Sequence, residues 1–158
     1  RELNKDNNFN VAALADLQGP KLRVGVMEKK VKLKPGDEFI FTTEECIGTA
    51  EKAFMTYQNF PKDVEAGEKI LVDDGKLLFE VIDTDRDTKV VTKVLRGGSL
   101  KSKKGVNLPN TKISLPALTK KDIKDAIFAI EQEVDWIALS FVRTPEDLVK
   151  LADLIKEK

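Results

Sequence analysis

The sequence predicts a chain of mixed α and β structure: a small antiparallel β-barrel domain inserted into a partial (β/α) barrel of two parallel strands and two helices. Three observations predict it. Residues 11–16, Val-Ala-Ala-Leu-Ala-Asp, and the segment Val134 to Phe141 are short apolar runs, the pattern of strands covered on both faces as in a parallel sheet. Between Arg23 and about Ser114, short alternating stretches recur between turn signals, as in a small antiparallel barrel or sandwich. After Pro116 the apolar period lengthens to that of a helix.

Taken in order, Arg1-Glu2-Leu3-Asn4-Lys5 reads as the tail of a helix with no initiator Met, and Leu148 to Lys158 stops without a terminating Gly or Pro. The expectation is a sequence cut from something longer. The first apolar run ends on Asp16, and Gly19-Pro20 then makes a tight turn that brings in Lys21 and Arg23. Alternation predicts strands at Val31 to Leu33, Glu38 to Thr42, Lys69 to Val72, Leu77 to Ile82 and Lys89 to Val94. Pro35-Gly36, Ala66-Gly67, Asp74-Gly75 and Asp83 to Asp87 separate them.

Thr119 and Asp122 then form a capping box, and Ile123, Ala126, Ile127 and Ile130 follow at helical spacing. The second apolar run holds Trp136, expected in the core, with Ile137 and Leu139. Thr144, Pro145 and Asp147 start a second helix with a stripe of Leu148, Leu151, Ala152 and Ile155. Two parallel strands joined through a helix are what a (β/α) barrel supplies, with active sites at the C-terminal strand ends. The expected division is a barrel segment at 1–19, the inserted β-barrel at 20–115 and a second barrel segment at 116–158. Two strands and two helices are about a quarter of such a barrel, so apolar edges are expected to stay uncovered.

At 158 residues the chain is long enough to bury roughly two thirds of its unfolded surface. With 27 basic and 27 acidic side chains the net charge is zero, which argues against collecting nucleic acid or an anionic membrane through a global field. Any phosphate must be held by local geometry. There is no histidine, which removes the commonest general base, the His-activated nucleophiles and His zinc sites. A single cysteine, Cys46, excludes an internal disulfide and suits a reducing compartment. No run approaches the roughly 20 apolar residues of a membrane span, and none reads as a signal peptide, so a cytoplasmic location is expected.

Candidate chemistry gathers at a few places. Asp16, at a strand end, suits a ligand for a cation shared with phosphates, and serves equally well as a turn acid. Arg23 offers a rigid fork for phosphate oxygens, or pairs with a local acid at the surface. Lys103 and Lys104 stand beside Gly105, which lets backbone approach a ligand, although Lys-Lys-Gly is by default a solvated turn. Asp73-Asp74-Gly75 is first of all a hairpin signal. Ser140, Phe141 and Arg143 close the second barrel strand, where an inward Ser or Phe lines a pocket or simply packs.

Four elements, Asp16 to Arg23, Val72 to Gly75, Ser102 to Pro109 and Ser140 to Arg143, stand in the order in which they occur in pyruvate kinases, and from about Val11 to the C-terminus the chain resembles that family. The resemblance implies that Asp16 belongs to a monovalent cation site, and that Arg23, Lys104 and, less directly, Lys103 contact nucleotide phosphates. It implies that Asp74 lies on a closing lid face and that Ser140 and Phe141 border the substrate pocket. It further implies a full-length homotetramer that converts phosphoenolpyruvate and ADP to pyruvate and ATP with Mg2+, the inserted barrel acting as a lid hinged near Gly19-Pro20 and Leu115-Pro116. The family's Mg2+-binding acids and its enolate-stabilising lysine are expected beyond Lys158, so these residues alone are expected to be inactive.

Many members read Asp-Thr-Lys-Gly-Pro-Glu-Ile-Arg-Thr where this chain has Asp16-Leu17-Gln18-Gly19-Pro20-Lys21-Leu22-Arg23-Val24. Members with lysine at position 21 generally need no K+, because a tethered ammonium takes the place of the bound ion, and Leu17 removes a hydroxyl. K+ independence is the expectation. Other classes are a stand-alone β-barrel ligand-binding module, whose nearest aromatic candidates are Phe54 and Tyr57, and a purely structural interaction module.

Overall fold

The computed structural model describes residues 2–158, and Arg1, part of the expected helix tail, lies outside the described residues. In chain order the elements are α1 (Glu2–Asn7), β1 (Leu14–Leu17), β2 (Val31–Leu33), β3 (Glu38–Thr42), β4 (Lys52–Phe54), α2 (Phe60–Asp63) and β5 (Lys69–Val72). There follow β6 (Leu77–Thr84), β7 (Lys89–Arg96), β8 (Gly98–Leu100), β9 (Val106–Asn107), α3 (Lys120–Glu131), β10 (Trp136–Leu139) and α4 (Pro145–Glu157). They form two compact units, one from residues up to Pro20 together with Leu115–Lys158, the other Lys21–Ser114. No helix among the described residues is long and apolar enough to cross a membrane.

In the first unit β1 and β10 pair in parallel, Leu14 opposite Trp136 and Leu17 opposite Leu139. Strand alternation puts Leu17, Ile137 and Leu139 on one face, where they pack with Ala126 of α3 and with Leu151 and Leu154 of α4. The other face carries Leu14 and Trp136, which are 60% and 66% exposed. Two expectations are therefore corrected. The first strand begins three residues later than the apolar run and is covered on one face only, because the helices of this unit pack against a single side of a two-stranded sheet. For the same reason Trp136 is not a core residue.

The helices show a similar shift. Both capping acids are in place, yet α4 turns Leu151 inward and leaves Leu148 and Ile155 exposed. Its inward face is Leu151 with Leu154, a narrower contact than the predicted stripe. In α3 the buried apolar residues are Ala126 and Ala129, while Ile123 and Phe128 are exposed.

The second unit is built on a six-stranded sheet in the order β4-β3-β7-β6-β5-β9, antiparallel except for the parallel pair β3 and β4, with β2 and β8 paired separately. Phe39 and Phe41 alternate onto the inner face of β3 and meet Phe79 from β6 and Phe60 from α2, all fully buried. Register shifts in the β6 and β7 pair, between Leu78 and Phe79 and between Val81 and Asp83, add local twist to the longest ladder.

Both sheet edges are tied by one segment. Val24 bridges Met55 just past β4, and Gly25 N–H donates to Phe54 O at 2.8 Å. On the other side Arg23 bridges Gly105 just before β9, and Val106 N–H donates to Leu22 O at 2.9 Å. Residues 22–25 thus form a seam joining the β4 and β9 edges of the sheet. Gly25 suits that seam because a Cβ there would lie 2.8 Å from the Phe54 ring.

Candidate functional site

The seam decides which cations of the second unit are neighbours. Arg23 is fixed by its backbone on both sides: its N–H donates to Thr56 Oγ1 at 2.9 Å, and its carbonyl accepts from Thr56 N–H at 3.0 Å. Its guanidinium reaches across and donates to Lys103 O at 3.0 Å. Val24 N–H donates to Lys104 O at 2.9 Å, so the segment 103–105 lies directly against the Arg23 strip. Arg23, Lys103 and Lys104 are therefore brought to one place, with Arg23 and Lys103 exposed and Lys104 half-buried.

The far side of the 103–105 strip faces the turn between β5 and β6. Val72 pairs with Leu77 across this hairpin, and Asp73, Asp74 and Gly75 all have positive φ, at 53°, 56° and 81°. Two acids and a glycine tolerate that backbone better than most residues. Of the two acids, Asp73 reaches Lys104, with Oδ1 2.9 Å from Nζ. The lysine, then the more distant Lys76, hold the Asp73 carboxyl below the usual carboxylate range, while partial burial opposes them. Asp74 is exposed on the same turn. Which acid meets the lysine follows from the β5 and β9 register, which no local sequence signal carries.

Thr56 is a second residue that sequence reasoning missed. It follows β4, a three-residue strand with no clear alternation, so nothing marked it as the partner of Arg23. Beside it opens a groove of about 640 Å3 whose apolar lining includes Val24, Gly25, Val26 and Phe54, with Arg23 and Lys103 at its margin. Cys46 also lines this groove and is half-buried. Lys21, the first residue of the unit, is exposed.

In the first unit the strand-end residues form their own group. Asp16 is exposed opposite Ala138, and its Oδ1 accepts from the Ser140 hydroxyl at 3.3 Å. Phe141 adopts φ of 60°, costly for a bulky side chain, and its ring covers Gly19 so closely that a Cβ there would sit 2.7 Å from it. Strain of that kind concentrates where a site fixes its geometry. Leu17 faces the helices and is 2% exposed, opposite in direction to Asp16, so core packing accounts for an apolar residue there. Among the described residues no three acids, cysteines or histidines gather into a metal site.

Asp122 ties this group to α3. Fully buried, it accepts from Gly19 N–H at 3.0 Å, from Thr119 N–H at 2.9 Å and from the Thr119 hydroxyl. Burial raises its pKa, but the Thr119 and Gly19 hydrogen bonds outweigh burial and bring it below the ordinary value of 3.8. The group contributes stability that is present above the unfolded pKa of about 4 and is lost as pH falls through the lowered folded value. Asp122→Asn is expected to lower the stability of this unit at neutral pH by about 1–3 kcal/mol and to flatten its loss between pH 5 and 3. Thermal melts of both proteins across that range, followed by helical circular dichroism, check it.

The family model described as pyruvate kinase, barrel domain, matches residues 1–158. A pyruvate kinase of Bacillus licheniformis is 43% identical over 150 residues, 94% of this chain and 26% of the relative. One from Geobacillus stearothermophilus is 42% identical over 158 residues, 99% of this chain and 27% of the relative. Among solved structures, a pyruvate kinase from Cryptosporidium parvum superposes with a TM-score of 0.92 at 34% identity, covering all of this chain and 33% of that one. The chain spans about a quarter of the length of these two curated relatives.

Proposed function

Since the chain belongs to the pyruvate kinase family, we propose that it serves, within a full-length enzyme, the transfer of the phosphoryl group of phosphoenolpyruvate to ADP. A β-phosphate oxygen of ADP bonds to the phosphorus, the bond to the enol oxygen breaks, and the electron pair leaves on an enolate that takes a proton at carbon to give pyruvate. Little covalent work falls to the protein in such chemistry, so catalysis is positioning and charge neutralisation.

The observation that supports this reading is the meeting of Arg23, Lys103 and Lys104 at the seam of the β unit. A planar guanidinium and two ammonium groups suit a polyphosphate, the first by paired hydrogen bonds and the others as point charges. Asp74 stands on the neighbouring turn, while Asp16, Ser140 and Phe141 belong to the strand ends, where barrel enzymes carry their chemistry. In this reading the β unit works as a lid. Mg2+ would be held mainly by groups that these residues do not supply.

Coupled measurement of pyruvate formation from phosphoenolpyruvate and ADP tests the proposal. The 158-residue chain alone is expected to show no turnover, and the full-length enzyme to turn over equally with and without K+. Lys21→Glu in the full-length enzyme is expected to create a K+ requirement, because it removes the tethered ammonium and restores an acid. Turnover by the chain alone, or a Lys21→Glu enzyme indifferent to K+, contradicts the corresponding part.

A further inference from the structure

The hairpin turn after β5 places a fixed acid against the lysine assigned to phosphate. Val72 pairs with Val106, and the next N–H along the chain, that of Asp73, donates to Gly105 O at 3.0 Å. This bond sets Asp73 beside Lys104 whatever the side chains do. The carboxylate is the anchored partner, its side chain 14% exposed on a turn with φ of 53°, whereas the ammonium sits at the end of a flexible stem and is 31% exposed. Lys76 approaches the other carboxylate oxygen at 3.4 Å and leaves the net charge of the cluster positive.

We propose that Asp73 is an internal counter-anion for Lys104, holding the ammonium until a di- or triphosphate arrives and then yielding it to a phosphate oxygen. The inference rests on the reading of Lys104 as a polyphosphate ligand. An ammonium has three donors and a freely rotating stem, so exchanging one anion for another needs only side-chain motion. The single charge of Asp73 is displaced by the higher charge of a polyphosphate, yet it opposes that ligand from close range. Asp73 therefore keeps Lys104 ordered at the expense of affinity.

Titration of the 15N-labelled 158-residue chain with sodium tripolyphosphate, read from the Lys104 and Gly105 amide shifts, tests this. Asp73→Asn suits the positive φ and removes only the charge, and it is expected to tighten binding by more than about threefold, the through-space effect of one unit charge about 6 Å away in a water-like medium, because the release of Lys104 adds to it. Asp73→Gly, equally at ease with that φ, is expected to agree and guards against a local effect of the amide. Lys104→Met is expected to weaken binding, and Asp73→Asn added to it to tighten it only by that through-space factor of about threefold, less than its gain in the unaltered chain. Asp87→Asn, at the far end of β6 and roughly 26 Å away by strand rise, is expected to change nothing. If Lys104→Met binds as well as the unaltered chain, the reading of Lys104 fails. If Lys104→Met weakens binding while neither Asp73 variant tightens it, or Asp87→Asn tightens it equally, the counter-anion role alone is overturned.

Discussion

Phe41→Ala is expected to cost the β unit about 3–5 kcal/mol, the range for a large aromatic removed from a core that cannot collapse around the void. Phe41 is fully buried and touches three other rings: Phe39 and Phe79, each with its centroid 5.1 Å away, and Phe60 at 6.0 Å. Its contacts with Phe39, Phe60 and Phe79 are all edge-on, the arrangement in which the ring quadrupoles attract. The three partners come from β3, α2 and β6, so no single element can move in to fill the space. With a typical urea slope of about 1–3 kcal/mol per molar, the midpoint should fall by about 2 M, and domains of ordinary stability have little beyond that to lose. Amide hydrogen exchange separates the units: protection should drop across β3, β6 and β7. A Phe41→Ala chain with an unchanged midpoint would show that the ring cluster is not the core of this unit. Phe41→Leu, which keeps most of the volume, is expected to recover more than half of the loss.

What could be read from the sequence was whatever is encoded locally. The Thr119 and Asp122 capping box, the helix start at Thr144-Pro145, the Val72 to Leu77 hairpin and the alternation of Glu38 to Thr42 each need only neighbours a few residues away, and each is present. The first strand was misplaced because the apolar run Val11 to Ala15 says only that burial is available, and in this unit just one face of the β1 and β10 pair is covered. Trp136 and Leu14 were drawn wrongly into the core by the same assumption. β4, β8 and β9 have three, three and two residues and, unlike the three-residue β2 with its Val-Lys-Leu, show no apolar alternation that would mark them.

The candidate site was legible as residue types and not as contacts. Arg23 and Lys104 stand eighty-one positions apart, and nothing local says that residues 22–25 lie against both the β4 and β9 edges. That seam makes them neighbours. It also explains why Thr56 and Asp73 escaped notice, since each acquires its role from the strand across from it. In Asp122 the local signal was right and incomplete: the capping box was visible, while its bond to Gly19, 103 positions away, was not.

The largest effect on activity is expected at Arg23. In the full-length enzyme Arg23→Met should lower kcat/KM for ADP about 10²–10³-fold, the range found when one preorganised donor to developing charge is removed. The substitution is a clean one because the positions of the backbone and the side chain are set separately. Thr56 holds the Arg23 main chain from both its N–H and its carbonyl, and Val106 N–H holds Leu22, so the seam survives loss of the guanidinium. Among the described residues the side-chain bond forfeited is that to Lys103 O, an exposed contact whose loss should move stability by no more than about 1 kcal/mol. Arg23→Lys keeps the charge and loses the planar fork, and an intermediate activity, recovered chiefly in KM, would show that geometry as well as charge is used. Thr56→Val probes the same residue from behind. It removes the hydroxyl that accepts the Arg23 N–H and should lower activity less than Arg23→Met does, with Thr56→Ser restoring it. Should Arg23→Met retain full activity, the seam would remain the closure of the β unit and the proposed contact with phosphate would fail.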